Sequence, residues 1–107
     1  MRYILLLYMN ENEKDFSPET MNKWKRFREE VGDKYLSDGV LNNSQLSKIV
    51  QLKNGAVLTT DGPFIETKEQ LVGYVIIESS GMEEALKIAE RCPILVHGKV
   101  EIRPFFE

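Results

Sequence analysis

The sequence holds one cysteine, Cys92, and one histidine, His97, and that scarcity sets the first limits. A single cysteine excludes an internal disulfide, and together the two leave too few ligands for the usual transition-metal site. No long basic run is present. Fourteen lysines and arginines are scattered among seventeen acidic residues for a net charge of −3, which argues against nucleic acid as the main partner. No apolar run is long enough to span a bilayer. The opening "YILLLYM" lacks a small-residue cleavage site, so it reads as a strand and not a signal peptide. There is no membrane signal, and cytoplasm is the expected compartment. Glycine-rich phosphate loops, nucleophile elbows and metal motifs are also missing, so no cofactor and no metal are expected.

What is present is ordinary for a folded domain. An apolar share of 42% against 29% charged residues excludes disorder, and 107 residues suit one domain, residues 1–107, with a modest core. Residues 2–9 form an apolar, β-prone run closed by the polar "NENEKDFSP". Ser17-Pro18 then opens a helix, with serine at the N-cap and proline where no backbone donor is needed. Met21, Trp24, Phe27, Val31 and Tyr35 recur three and four apart as one apolar stripe, and Gly39 is the expected C-cap.

"KIVQL" and "AVLTT" flank Lys53-Asn54-Gly55, a strong hairpin signal. "LVGYVIIE" reads as a further strand in which Gly73 marks a bulge or a close backbone approach. "MEEALKIAERC" is a short amphipathic helix with Met82, Ala85, Leu86 and Ala89 on one face, stopped by Pro93. A last strand, "KVEIRPFF", carries Pro104 and so belongs at an edge or terminus.

The order strand, long helix, hairpin, strand, short helix, strand describes an α+β domain. Its plan is the ferredoxin-like split βαβ arrangement around an antiparallel sheet. Two helices on one face leave the other face bare and apolar. Pairing two such sheets as a homodimer is the simplest closure.

The string "TDGPFIETKEQLVGYVIIE", followed by "EEALKIAERCP" and "HGKVEIRPF", resembles the DGPF-type branch of the YciI-like family, and "RYILLLYMNE" looks like that family's opening strand. The resemblance runs over nearly the whole chain. It implies a dimeric α+β barrel of ferredoxin-like subunits. It implies no settled activity, because relatives are assigned enzymatic roles by analogy and many are encoded beside extracytoplasmic-function sigma factors. Better-known YciI-like proteins outside this branch are credited with a His-Asp site whose histidine lies in the first helix region. Here that region offers Trp24, Lys25 and Arg26 instead, so that site does not carry over.

Two residues are candidates for proton transfer. Asp61, in the Asp-Gly-Pro-Phe turn, could orient His97 and raise its basicity. The plainer alternative makes Asp61 a turn residue, Phe64 a core anchor and His97 a residue at the start of the last strand. Glu66, Lys68 and Glu69 are either solvated charges or, turned into a cavity, an anchor for an anionic ligand. Tyr74 could donate to a ligand oxygen. Arg103 could grip a carboxylate, or pair with an acidic residue across the dimer.

Two functions follow. The first is a cofactor-free small-molecule enzyme or binder with acid–base chemistry, of isomerase or lyase type, in a pocket between the sheet and the Asp-Gly-Pro-Phe segment. The second is a non-enzymatic partner protein, serving a sigma factor or other regulatory machinery, with residues 65–69 as its contact surface.

Overall fold

The computed structural model describes residues Met1–Glu107. Its elements are β1 (Arg2–Asn10), α1 (Pro18–Val31), β2 (Tyr35–Val40), β3 (Lys48–Lys53), β4 (Ala56–Asp61), β5 (Glu69–Glu78), α2 (Met82–Ala89) and β6 (Gly98–Pro104), joined in part by short 3₁₀ turns. A four-stranded sheet runs in the order β2-β5-β1-β6 with every neighbour antiparallel. With two helices this is the ferredoxin-like α+β plan. No helix is long and apolar enough to cross a membrane.

The first helix is shorter than its apolar stripe suggests. Ser17 caps it as expected, its Oγ accepting from the Thr20 N–H at 3.3 Å. The end comes at Val31, because Gly32 takes φ +65° and donates its N–H to Arg28 O. Tyr35 and Gly39 therefore belong to β2, a strand the helical spacing concealed. Gly39 is not a C-cap. It faces Tyr74 across the strand pair, and a Cβ there would come within 2.6 Å of the tyrosine ring.

Register sorts the sheet into two faces. Leu5 lies opposite Val75 on one side and Ile102 on the other, and Tyr3 lies opposite Ile77. These residues, with Leu7, Phe27, Val31, Ala85, Ile88 and Ala89, form the core beneath both helices. The opposite face carries Ile4 beside Ile76, and Leu6 beside Tyr74. Between Leu7 and Tyr8 the pairing skips a residue and leaves Val72 as a bulge next to Gly73. Pro104 closes β6, which is an edge strand. Cys92 is a core residue, and burial pushes its thiol up to about 11.

The hairpin forms as its turn predicts. Asn54 at φ +52° and Gly55 at φ +79° close β3 onto β4 with Lys53 opposite Ala56. It is a two-stranded sheet of its own, and its flank is bare: Leu52 and Val57 are each 72% exposed. Gly55→Ala is expected to cost about 1–2 kcal/mol, because an L side chain resists this φ. Hydrogen exchange should show the loss confined to residues 48–61, with β1 protection unchanged.

An ion pair ties the turn after α1 to α2. Lys34 Nζ lies 2.5 Å from Glu84 Oε2, and Glu84 also accepts from the Ser80 N–H at 3.0 Å. The Lys34 ammonium, and after it the Ser80 amide, hold the Glu84 carboxyl down at about 2. A depressed carboxyl contributes stability above its unfolded value, near 4.3, and loses it as pH falls through its folded value. Wild type should therefore exceed Glu84→Gln in urea midpoint at neutral pH. The gap should narrow between about pH 4.5 and about pH 2.

Candidate functional site

The candidate dyad does not assemble within the chain. Asp61 ends the exposed hairpin, where its carboxylate ion-pairs with Lys48 directly opposite. His97 sits at the turn into β6, and the carboxylate that feels its charge is Asp15. No hydrogen bond or ion pair joins Asp61 to His97, since each is carried by a different unit of the fold. Glu66 and Lys68 are exposed, as is Arg103, which binds Glu101 at 2.9 Å within its own strand. Glu69 accepts from Lys99 at 2.7 Å. Phe64 is no core anchor, being 83% exposed.

Beside the Asp-Gly-Pro-Phe segment runs an open groove of about 460 Å³, walled by Tyr8, Lys48, Ile49, Phe64, Ile65, Glu69 and Leu71 among others. Of the candidate residues, Glu69 contributes to it. A second cavity, of about 310 Å³, lies between the start of α1 and the helix-facing side of the sheet. Tyr74 is the candidate residue that borders this one, by its place in β5, while its ring lies over Gly39 on the opposite face. Its apolar walls include Leu7, Phe16, Met21, Trp24, Val40, Val75 and Ile94, and its charged groups are Lys14, Asp15, Arg28 and Asp38. A mostly apolar concavity with a few polar groups is the usual form of a ligand site, and this volume is at the small end of that range.

Local structure sets each polar group. The turn before α1 fixes Asp15, which accepts from the Ser17 N–H at 2.8 Å and from Thr20 Oγ1 at 2.6 Å. Those bonds, Thr20's first, hold its carboxyl below the usual range, and His97 adds a smaller pull in the same direction. Lys14 Nζ donates to Leu41 O at 3.0 Å. Strand β2 brings Asp38 to the helix-facing side opposite Val75, where it accepts from the Tyr35 hydroxyl at 2.7 Å. Burial, and then this bond, push the Tyr35 phenol up, while Arg28 beside it pulls the other way. Tyr35 is thereby a protonated donor, and Asp38 is an oriented carboxylate at the cavity wall. No cluster of three or more His, Cys, Asp or Glu side chains suited to a metal ion is present.

On the bare face a second network joins β1 to β6. Tyr8 donates to Glu101 at 3.2 Å, and Glu101 also holds Arg103. Arg103 draws the Glu101 carboxyl down, whereas burial and then Glu101 raise the Tyr8 phenol.

The sequence matches the YCII-related domain over residues 1–107. The chain belongs to the YciI-like family. It is 31% identical over 96 residues to an uncharacterised protein of Rhizobium meliloti (strain 1021), covering 83% of this chain and 77% of that one. Within this YciI-like chain, the charged cavity groups Lys14, Asp15, Arg28 and Asp38 all escaped sequence reasoning. Arg28 was visible beside the apolar stripe of α1. Asp38 was not, because residues 35–39 read as the tail of a helix.

Proposed function

We propose that this YciI-like protein is a cofactor-free binder of a small oxygenated molecule, held in the cavity between α1 and the sheet, with the capacity for proton transfer there. The observation that carries the reading is that cavity of about 310 Å³, apolar through most of its wall with Asp38 held ready by Tyr35. The acid–base role moves from Asp61 and His97 to Asp38, because a proton acceptor must reach the bound molecule. Isomerisation and elimination need no more than such a base and a group to stabilise negative charge. The test fills the cavity mouth. Small aromatic fragments that raise the melting temperature of wild type should lose that effect in Val40→Phe, since a ligand stabilises only what it binds. Val40 is 70% exposed on an edge strand, so the variant keeps its fold. Equal stabilisation of both proteins would contradict the reading.

The protein works as a homodimer in this account. The bare sheet face sets Ile4, Leu6, Tyr74 and Ile76 side by side, and a neighbouring copy gives them somewhere to be buried. One observation favours the second function, a partner protein in regulatory machinery. The hairpin arm and Phe64 expose apolar side chains well away from the cavity, and an isolated two-stranded hairpin is only marginally stable. Leu52→Ser with Phe64→Ser decides between the occupants. A dimer weakened at least tenfold in sedimentation equilibrium assigns the arm to the second copy. An unchanged dimer excludes the second copy as the arm's occupant.

A further inference from the structure

The four charged groups of the cavity are not equally free. Asp15 already has two donors, Asp38 has the Tyr35 hydroxyl, and Lys14 has the Leu41 carbonyl. Arg28 is different. It forms none of the chain's ion pairs, and it lies beside the neutral Tyr35 phenol. A guanidinium carries five N–H donors in a planar fork that matches a carboxylate. The unmet capacity of the cavity is thus for an acceptor, although its formal charges cancel.

We infer that the ligand is a small organic monoacid. Its carboxylate docks on the guanidinium donors of Arg28 left free by the Tyr35 hydroxyl, which Asp38 also holds, and its apolar body lies along Trp24 and Met21. This rests on the cavity reading above and deepens it by naming the ligand class. A divalent acid does not fit, because Asp38 and Asp15 would face its second charge with their own. The volume sets a similar limit, favouring a single ring or a short chain.

Trp24 is the single tryptophan and lines the cavity, so its emission reports binding directly. Three probes of one shape separate charge from shape: phenylacetate, phenylacetamide and 2-phenylethylammonium. Phenylacetate should bind wild type at least tenfold more tightly than the amide, and the ammonium should be weakest, as a charge-assisted bond to arginine requires. Arg28→Gln should erase the preference for the acid while leaving amide affinity within about twofold, and Arg28→Lys should restore part of it. If acid and amide bind wild type equally, or the ammonium binds best, the monoacid inference falls while the cavity stands. If no probe alters Trp24 emission, the cavity reading falls with it.

Discussion

Ile76→Asp is expected to abolish the proposed homodimer at micromolar concentration while leaving the far-ultraviolet circular dichroism unchanged. Ile76 lies beside Ile4 on the uncovered face of the sheet, half-buried by its neighbours alone. In a lone subunit an aspartate there stays in water and costs little. Between two packed sheets it is a buried charge without a partner, and such a charge costs several kcal/mol. That is enough to move a dissociation constant by two or more powers of ten. Light scattering coupled to size exclusion reads the change in mass. An Ile76→Asp protein that remains a dimer would place the interface elsewhere, with the hairpin arm the next surface to alter.

The second large effect concerns the core. Leu5 is 0% exposed, in a strand flanked on both sides by others, opposite Val75 and Ile102. Leu5→Ala removes buried methyl and methylene groups from a site whose strand neighbours cannot collapse inwards. The expected loss is roughly 3–5 kcal/mol, a large part of the 5–15 kcal/mol that holds a domain together. The urea midpoint should fall sharply. A loss under about 1 kcal/mol would mean that the sheet repacks around the vacancy.

Much of this fold was legible because local and tertiary signals agreed. Ser17-Pro18 makes a helix start in any context, and Asn54-Gly55 makes a hairpin turn because both residues accept positive φ. Pro104 could only end an edge. The failure at residues 35–39 has an equally local cause. Tyr35 falls on the helical stripe, so spacing extended the helix through Gly32, whose positive φ had already ended it. Pairing with β5, not propensity, makes β2 a strand.

The site followed the same rule with a heavier consequence. Residues 60–69 set charges close together in sequence, yet the structure spreads Asp61, Glu66 and Lys68 over an exposed arm and loop. The cavity gathers residues far apart in the chain: Asp15, Arg28, Asp38 and Val75 come from the turn before α1, from α1, from β2 and from β5. Single-sequence spacing carries no record of such a meeting once one of the strands is misread. Phe64 illustrates the converse error, since an aromatic after a turn is expected to anchor a core and here stands in solvent.

The most direct test of the central claim is an assigned amide ¹H–¹⁵N correlation map of the protein, recorded against a mixture of small aromatic and short-chain acids. Binding under α1 predicts shifts at the Trp24 indole and at the Gly39, Val40 and Gly73 amides, with residues 63–67 unmoved. Shifts confined to residues 44–49 and 63–71 would instead put the ligand in the Asp-Gly-Pro-Phe groove and contradict the account.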